Sequence, residues 1–494
     1  MSEEEITHKS ACDLRAAVAN RSLKASDITG AFLERIEKFN PALNAVCTLN
    51  PRALDEARAS DERLAKGEPA RPMEGVPVLV KDNIETAHLR TTFGSKLYVH
   101  HVPDADSVLV ERLRSAGAII LGKTNTPEFA ADINTSNLIF GQTRNPWDLN
   151  VTPGGSSGGS AAGVAAGFAP IGIGTDLGGS IRAPSAFSGL VGLRPSPGRV
   201  PVYPQEFAWD TLVSHVQGPM ARSVEDVALA MSVLAGPDER DPSTLPETTL
   251  GYWDMPADFG GRLDEVTIAY AGDLDGVVPV DPQVEALVRT ALSDIQALGC
   301  HVQEETFDAS DLRTIISGTR SYNLIARLGQ RYEDYGTSMT APIINQVKAA
   351  KAVDVATVAA AERARTAYWH RVRALLERFE FIVTPTIGVP AFRLDEALPT
   401  EVGGQRVANF YDVILMTYAF SIMGLPALSV PCGSIGGLPV GMQIVGRRHR
   451  DDSVLALGAA YLAHHPEHMR RCPDIDPTTL RPVSEAFTPA GVPV

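Results

Sequence analysis

The chain reads GGSSGGS at residues 154–160 and continues directly into AAGVAA at residues 161–166. A flexible Gly/Ser linker would have the first composition. The continuation argues against a linker, because a packed helix of small residues is predicted to follow the glycines. Glycine here permits unusual backbone angles and a close approach of the chain to a ligand or to another segment. The run also matches the G-x-S-x-G pattern of a nucleophile elbow, but a predicted turn at residues 150–153 precedes it where that motif requires a strand.

A second informative stretch reads GTDLGGSIRAP at residues 174–184. An apolar strand, predicted over residues 170–174, leads into a glycine pair, a serine and the start of a helix. This order places Ser180 beside backbone N–H groups without partners, an arrangement that stabilises an oxyanion. A serine at such a position can equally be a helix N-cap. Asp176 and Arg182 carry opposite charges on either side and are predicted to form an ion pair of the scaffold.

The third stretch is VLVKDN at residues 78–83, in which Lys81 ends a strand predicted over residues 76–80. A buried ammonium without a partner is costly. Burial would lower the pKa of Lys81 and make its amine a possible base. The alternative is a lysine whose aliphatic stem is buried while its ammonium reaches solvent.

Two further patterns suggest chemistry that their context does not support. GAIILGKT at residues 117–124 satisfies the P-loop pattern letter for letter. Its centre is predicted to be a buried strand, which would hold the two glycines roughly 16 Å apart at ~3.3 Å per residue. HHPEH at residues 464–468 suggests a metal site, but Pro466 disrupts the helical spacing of the histidines. We therefore predict a surface turn and no metal site.

Together the first three stretches make the chain resemble the amidase signature hydrolases, which are serine hydrolases with a Ser–Ser–Lys triad. Residues 154–185 match the signature of that family along their whole length. Shorter matches outside it are GVP (75–77), GKTN (122–125), PEF (127–129), GLVGLRP (189–195), GPMAR (218–222), GLPA (424–427) and GMQ (441–443). The resemblance extends over about residues 5–465, and it is specific for fold and chemistry but poorly specific for substrate.

The resemblance implies a role for each matching residue. Ser180 falls on the nucleophile, Ser156 on the bridging serine that the family holds after a cis peptide bond, and Lys81 on the base. The backbone N–H groups of the implied oxyanion hole belong to Leu177, Gly178, Gly179 and Ser180. The implied supporting shell is Ser157, Thr175, Asp176 and Arg182. Lys81 can act only when neutral, and half neutrality at pH 7 needs a pKa ~3.4 units below the reference value of ~10.4. No metal or organic cofactor is required.

Composition excludes several classes of protein. The 494 residues include 44 Lys and Arg against 59 Asp and Glu, a formal charge of −15, with 44% hydrophobic and 21% charged residues. These values exclude a mostly disordered chain and argue against a general nucleic-acid binder. The five cysteines are scattered, which argues against a disulfide framework or a zinc site. Since neither a signal peptide nor an apolar run long enough to span a membrane is evident, a cytoplasmic protein without a membrane partner is predicted.

Helical and strand patterns alternate along the chain, which predicts an α/β fold. The resemblance implies a single domain in which a large mixed sheet lies between helical layers. Predicted strands are 76–80, 118–121, 170–174, 267–271, 381–384, 427–430 and 442–445. Predicted helices include one that Pro41 ends, 107–115, 223–234 with a capping box of Ser223 and Asp226, and long helices between residues 283 and 378. We predict a helical segment at residues 1–70 packing on the core, a catalytic domain at 71–472 and a Pro-rich tail at 473–494.

These observations predict an amidase that hydrolyses a small, uncharged or aromatic amide, aryl or aliphatic, through a Ser180 acyl-enzyme. Esters and carbamates are further possible substrates. The expected partners are the small-molecule amide and a second copy of the chain in a homodimer. The alternative is the glutaminase subunit of a tRNA-dependent amidotransferase, from which residues 198–218 depart.

Substrate contacts are predicted in the loops at residues 131–137, 203–212 and 318–323. Asn134 and Thr135 are the candidates in the first loop. Phe207 and Trp209 in the second are predicted to border the acyl pocket, because large aromatic side chains are common in small-molecule sites. Packing of these two aromatic residues within a surface loop is the alternative.

Overall fold

An 11-stranded sheet forms the centre of the protein. The computed structural model describes residues 2–209, 215–246, 259–469, 471–473 and 475–479. The strands, numbered along the chain, are β1 (Val46–Leu49), β2 (Pro77–Lys81), β3 (Ile119–Thr124), β4 (Ser136–Asn137), β5 (Gly141–Gln142), β6 (Ile171–Asp176), β7 (Val191–Arg194), β8 (Val216–Ala221), β9 (Thr267–Tyr270), β10 (His301–Glu304), β11 (Phe381–Pro385), β12 (Glu401–Val402), β13 (Gln405–Arg406), β14 (Ala427–Ile435) and β15 (Leu438–Gly446).

Fourteen α-helices in the described part of the chain surround this sheet. They are α1 (Glu3–Thr7), α2 (Ala11–Ala19), α3 (Ala25–Leu43), α4 (Ala53–Ala65), α5 (Val108–Ser115), α6 (Gly158–Ala165), α7 (Arg182–Ser188), α8 (Val224–Leu234), α9 (Pro282–Ala297), α10 (Leu312–Tyr335), α11 (Ala341–Lys351), α12 (Val355–Arg378), α13 (Phe410–Ser421) and α14 (Asp451–His464). Within the residues described, no helix combines the length and the apolarity needed to cross a membrane.

The order of the strands in the large sheet is β1-β3-β2-β6-β8-β7-β14-β15-β11-β9-β10. β2 runs parallel to both of its neighbours, β3 and β6. β9 runs parallel to β10 and β11, and every other neighbouring pair is antiparallel. The sheet is therefore mixed, as the family resemblance implied.

Helices cover both faces of the sheet. Val78 and Val80 of β2 belong to a hydrophobic cluster that includes residues of α5, α8, α9 and α14, whereas Leu79 belongs to another cluster with residues of α3, α4 and α6. Ile382 of β11 packs in a third cluster with α10, α12 and α13. Successive side chains of a strand point to opposite faces, so strands covered on both faces are apolar throughout. The predicted α/β class with helical layers on both sides is confirmed.

Most of the strongly apolar elements lie where the sequence placed them. The strand predicted at residues 76–80 is β2, and Ser107 caps α5 through a bond from the Val110 N–H. Residues 119–124 form the buried strand β3, so the P-loop pattern is a structural strand, as predicted. The sequence analysis missed the remaining strands, whose short or polar segments lack a distinct period: β1, β4, β5, β7, β8, β10, β12 and β13.

Two predictions about helix ends were wrong in detail. α3 continues through Pro41 to Leu43, because a proline so close to the end of a helix removes a single backbone hydrogen bond. The capping box predicted at Ser223 is only half formed: the Ser223 hydroxyl accepts from the Asp226 N–H at 3.2 Å. The Asp226 carboxylate instead accepts from the N–H groups of Ala11 (2.9 Å) and Cys12 (3.0 Å), at the start of α2.

The N-terminal segment contributes more than helices. Its strand β1 pairs antiparallel with β3 and forms one edge of the large sheet. Near the other terminus, Ile475 is buried in the cluster formed with α3 and α4. Most of the tail predicted at residues 473–494 lies outside the described residues, and the domain boundaries proposed at residues 70 and 472 remain predictions.

Candidate active site

Three segments of the chain meet at one cavity of about 350 Å³. Lys81 ends β2, and the loop at residues 177–181 follows β6. Because β2 and β6 are parallel neighbours, their carboxyl ends lie at the same edge of the sheet. The third segment is the glycine-rich loop at residues 154–157, which leads into α6. Ser156, Thr175 and Ser180 all line the cavity.

The Lys81 side chain is fully buried and hydrogen-bonded to two hydroxyl groups. Its Nζ donates to Ser156 Oγ at 2.6 Å and to Thr175 Oγ1 at 2.9 Å. Among the residues described, no carboxylate lies within 4.0 Å of this nitrogen. Burial lowers the pKa of Lys81 well below the ordinary lysine value, and the Asp176 carboxylate opposes this only in part. The prediction of a buried lysine is met, and the alternative in which its ammonium reaches solvent is not.

Contacts with neighbouring segments fix the conformation of the glycine-rich loop. The peptide bond between Gly155 and Ser156 is cis. A Cβ on Gly155 would lie 2.6 Å from the Ile133 carbonyl oxygen and 2.8 Å from that of Asp132, so only glycine fits there. The Thr126 hydroxyl donates to the Ser156 carbonyl at 3.0 Å. These contacts determine where the Ser156 side chain points.

Ser180 lies in a loop in which some backbone N–H groups donate hydrogen bonds within the protein and others do not. The Gly179 and Ile181 N–H groups donate to the Asp176 carboxylate at 2.8 and 3.2 Å. The N–H groups of Leu177, Gly178 and Ser180 have no acceptor among the described residues. Of the four amides that the resemblance assigned to an oxyanion hole, three can therefore bind a ligand oxygen and one positions the loop.

Asp176 and Arg182 form the predicted ion pair, and both are fully buried. Arg182 Nε and Nη2 donate to the two carboxylate oxygens at 3.0 and 2.9 Å. Arg182 Nη1 also donates to the Thr417 carbonyl at 2.9 Å. Against the effect of burial, Arg182 holds the pKa of Asp176 far below its ordinary value, and Arg194 adds to this. The pair thus connects the Ser180 loop to α13.

Gly178 and Gly179 are required by the same helix. A Cβ on Gly178 would collide with the Tyr418 ring, and one on Gly179 would collide with the Thr417 side chain. Gly179 also has a φ of +131°, which L side chains rarely adopt. The Thr417 hydroxyl donates to the Gly178 carbonyl at 2.7 Å. α13 approaches so closely that neither position has room for a side chain, which explains the glycine pair. The sequence alone did not show which segment lies against these glycines.

Ser157, also assigned to the supporting shell, links the two loops. Its N–H donates to the Ser180 carbonyl at 3.2 Å. Its hydroxyl donates to the Thr175 carbonyl at 3.2 Å and accepts from the Thr175 N–H at 3.3 Å. Thr175 in turn accepts from the Asn83 amide at 3.2 Å. Asn83 lines the cavity and was not singled out in the sequence, although it lies two residues beyond Lys81.

The residues predicted to contact the substrate lie in different places. The Thr135 hydroxyl donates to the Gly154 carbonyl at 2.9 Å and accepts from the Gly158 N–H at 3.1 Å, so it supports the loop. Asn134 lines a second cavity of about 900 Å³ and donates to the Ala397 carbonyl at 2.7 Å. Phe207 and Trp209 are 39% and 76% exposed and lie outside the lining of the first cavity.

Sequence reasoning did not identify most of the residues that line the first cavity. An aromatic wall consists of Phe93, Tyr98, Phe129, Phe410, Tyr411 and Tyr418. Another wall is one face of α10, which carries Arg320, Arg327 and Arg331. His215 also lines the cavity. Burial, together with the positive charges of Arg327 and Arg320, lowers the pKa of His215 to about 3, so this imidazole is neutral near pH 7.

The histidine-rich turn is more compact than the sequence predicted. Residues 466–468 form a short 3₁₀ turn, and donor atoms of His465, Glu467 and His468 lie within 4.8 Å of one another. These three side chains could hold a metal ion. However, the His465 Nδ1 is already hydrogen-bonded to the Glu467 carboxylate at 3.0 Å. The turn does not contribute to either of the cavities described above.

Comparison with known proteins gives one consistent picture. The sequence model of the family described as Amidase matches residues 27–455. The chain is 37% identical over 493 residues to one subunit of the glutamyl-tRNA(Gln) amidotransferase of Symbiobacterium thermophilum, an alignment that covers 93% of this chain and 98% of the relative. It is 33% identical over 478 residues to an acylamidase of Rhodococcus erythropolis, with 94% and 97% covered.

A solved structure shares this architecture over nearly its whole length. It is a bacterial aryl acylamidase of the amidase signature enzymes, with a TM-score of 0.84 and 29% sequence identity. The alignment covers 96% of this chain and 99% of that one.

Proposed function

This chain belongs to the amidase signature family and is a hydrolase acting on amides, and we propose that it cleaves small amides through a Ser180 acyl-enzyme. The observation that carries the proposal is the contact of 2.6 Å between Lys81 Nζ and Ser156 Oγ. A buried amine with a low pKa thus contacts a hydroxyl group in the cavity that also contains Ser180.

In the proposed first step, the Ser180 oxygen attacks the amide carbonyl carbon. The Ser180 proton passes to Ser156 Oγ while the Ser156 proton passes to the neutral Lys81 amine. The low pKa of Lys81 supports this role, because a lysine that stayed protonated could not accept a proton. Thr175, which accepts a hydrogen bond from Lys81 at 2.9 Å, fixes the direction of the amine.

The negative charge that develops on the carbonyl oxygen is stabilised by N–H groups of the Ser180 loop. We assign this function to the amides of Leu177, Gly178 and Ser180, which have no acceptor among the described residues. The Gly179 amide is bound to Asp176 and keeps the loop in this shape. Since the loop is anchored by the buried Asp176–Arg182 pair, these donors need little rearrangement when the charge forms.

Collapse of the tetrahedral intermediate breaks the C–N bond and returns the proton. Lys81 gives its extra proton to Ser156, and Ser156 gives its own to the departing amine. Water then attacks the acyl-enzyme carbonyl carbon and loses a proton along the same route, and Ser180 regains its proton as the carboxylate product leaves. Apart from the substrate and the attacking water, the groups used in these steps are side chains and amides of the chain itself.

The lining of the cavity supports a substrate with an apolar or aromatic part. Phe93, Tyr98 and Phe129 pack edge to face, with ring centroids 5.0 and 6.2 Å apart along the series. Ile133 and Leu324 also line the cavity, which suits an aryl or aliphatic group next to the reacting bond. Esters and carbamates with such groups are further proposed substrates, because they react through the same acyl-enzyme.

Substitution of the nucleophile tests the proposal. Ser180→Ala should abolish hydrolysis of aryl amides and labelling by a serine-reactive fluorophosphonate, whereas Ser156→Ala should leave a weak residual activity. Ser185→Ala is the matched control, because Ser185 belongs to the same signature but its hydroxyl donates to the Ile181 carbonyl at 2.8 Å, away from the cavity. Undiminished activity of Ser180→Ala would contradict the proposal.

A second candidate function follows from the 37% identity to a subunit of a glutamyl-tRNA(Gln) amidotransferase. In that case the chain would release ammonia from glutamine as the glutaminase of a complex that acts on tRNA. We favour the independent amidase, acting as a homodimer, because the large aromatic wall of the cavity is poorly matched to the small polar glutamine side chain.

Size-exclusion chromatography and a substrate panel separate the two functions. The purified chain should elute as a homodimer and hydrolyse anilides and benzamides faster than glutamine. A chain that is inactive on these amides and releases ammonia from glutamine would support the amidotransferase function instead.

A further inference from the structure

One wall of the catalytic cavity is strongly basic. Arg320, Arg327 and Arg331 lie seven and four residues apart on α10, a spacing that places them on one face of the helix. All three line the cavity that contains Ser180. The sequence analysis predicted an uncharged or aromatic substrate, for which three guanidinium groups have no evident use.

The arginines differ in the charges that compensate them. Arg331 donates to the Glu206 carboxylate at 2.8 Å and to the Tyr98 hydroxyl at 3.0 Å, so its charge is paired. Arg320 donates to the neutral Asn323 amide oxygen at 3.1 Å. Among the described residues, which leave out residues 210–214, no carboxylate lies within 4.0 Å of Arg320. Within this part of the chain, the half-buried Arg320 guanidinium is therefore a cation without a compensating carboxylate.

The carboxylates that line the cavity have their nearest partners elsewhere than at Arg320. Glu85 is 3.2 Å from His101 Nε2 and lies with it at the cavity wall. Asp132 accepts a hydrogen bond from the Asn134 N–H at 3.2 Å, and although burial raises its pKa to about 6 it is still largely ionised at pH 7; it forms no ion pair with a described Arg or Lys. Arg327 lies on the same helix face, close enough to Arg320 that both act on His215. An anion beside Arg320 would therefore meet a guanidinium that none of these carboxylates contacts.

We propose that the substrate is an amide that also carries a carboxylate, and that Arg320 binds this carboxylate at the α10 wall. The planar guanidinium can donate two parallel hydrogen bonds to a carboxylate. Such a pair fixes the orientation of the substrate and also compensates its negative charge. The aromatic wall contacts the apolar part of the same substrate. This inference rests on the proposed amidase function and deepens it, because it replaces the uncharged amide of the sequence analysis by an anionic one.

The test compares pairs of anilides in which one member carries a carboxylate and the other has an alkyl group in its place. Succinanilate and pentananilide share the leaving aniline and have acyl chains of similar length. Para-acetamidobenzoate and para-acetotoluidide place the same difference on the leaving group. In at least one pair the wild-type enzyme should prefer the anionic member in kcat/KM, and Arg320→Met should reduce that preference about 10- to 100-fold, mainly through KM.

Arg331→Met is the matched control, because Arg331 faces the same cavity but is already paired with Glu206. It should change the preference by less than about threefold, since a compensated charge attracts a ligand weakly. Arg320→Lys should restore part of the preference. If the preference is the same in the wild type and in Arg320→Met, or if Arg331→Met lowers it as much as Arg320→Met does, the inference is wrong.

A binding measurement separates this inference from the proposed function. Calorimetry on the inactive Ser180→Ala variant should show tighter binding of the anionic member of a pair, and adding Arg320→Met should remove the difference. If the wild type hydrolyses none of these anilides while this binding difference is present, the proposed function fails and the anion site stands. If anilides are hydrolysed and the difference in binding is absent, the anion site fails and the amidase stands.

Discussion

Lys81 and Lys123 are both fully buried, and they lie on the neighbouring parallel strands β2 and β3, one residue apart in register. Lys123 donates to the Ile84 carbonyl, to Thr86 Oγ1 at 3.1 Å and to Thr91 Oγ1 at 2.9 Å. Lys81 instead donates to two hydroxyl groups, both of residues that line the catalytic cavity. The two lysines therefore share burial and hydroxyl acceptors, but only the hydroxyl acceptors of Lys81 belong to residues that line the catalytic cavity.

The charged groups near the two lysines also differ. Burial lowers the pKa of Lys123 to about 8, and the nearby Asp82 carboxylate opposes a larger change. The pKa of Lys81 is lowered well below the ordinary value, and the carboxylate that opposes this, Asp176, is itself neutralised by Arg182. Burial alone therefore does not produce a base at neutral pH. A base also needs a hydroxyl partner that can exchange a proton with the substrate side.

The strongest test of this comparison is to remove each amine in turn. Lys81→Met keeps most of the side-chain volume and should lower kcat by about 10³-fold or more, because general-base catalysis contributes at least 10²-fold in many enzymes. Circular dichroism and thermal unfolding should show that the variant remains folded.

Lys123→Met is the matched control for that substitution. It leaves three acceptors without their donor, so the free energy of unfolding should fall by about 1–3 kcal/mol. The kcat of the folded fraction should remain within about tenfold of the wild type, because no proton of the reaction passes through Lys123. A larger loss of kcat in Lys123→Met than in Lys81→Met would reverse the assignment of the two lysines.

The pH dependence of the rate is the second test. Lys81 acts only as the neutral amine, so kcat/KM should rise with pH through the lowered pKa of this residue and level off above it. Below that pKa the rate should fall tenfold for each unit of pH, because the fraction of neutral amine falls in that proportion. The Lys123→Met variant should keep the same profile. A profile that shifts in Lys123→Met and is unchanged in Lys81→Met would contradict the comparison.

The third and smallest effect concerns the threonine partner of each lysine. Thr175→Val removes one acceptor of Lys81 and should lower kcat about tenfold, because the amine is then less well oriented toward Ser156. Thr91→Val removes an acceptor of Lys123 in the same way. It should leave kcat unchanged and lower the unfolding temperature. Equal losses of kcat in the two variants would indicate that both threonines act only through stability.

The candidate catalytic residues that the structure brings together are local to a motif or end a strand. Lys81 and Ser180 were singled out because a strand end and a glycine pair are visible in a single sequence, and the resemblance added Ser156. Parallel pairing of β2 with β6 places Lys81 and the Ser180 loop at one edge of the sheet. The fold class followed from the same alternation of helices and strands. The resemblance supplied the remaining assignments for residues 154–185, and the structure refined them at Gly179, whose amide is bound to Asp176.

The residues that the sequence missed depend on distant packing. Arg320 enters the cavity because α10 lies across it, and the helix alone does not show which of its faces does so. Tyr418 approaches Gly178 from α13, 240 residues further along the chain. Phe207 and Trp209 were selected for their size, whereas the aromatic wall is formed by residues of other segments, which include Phe93 and Phe410. Aromatic character alone, without knowledge of where each segment lies in the fold, did not identify the residues that line the cavity.

The carboxylate of Asp226 accepts hydrogen bonds from the start of α2, 215 residues earlier in the chain. On the ribosome, the first helices are therefore made long before the group that satisfies their N–H donors leaves the exit tunnel. β8 likewise pairs with β6, which must wait for residues 216–221 before it has a neighbour on that side. The N-terminal quarter of the protein can thus be completed only after nearly half of the chain has been synthesised, and nascent chains that stop before residue 226 should remain sensitive to protease near α2.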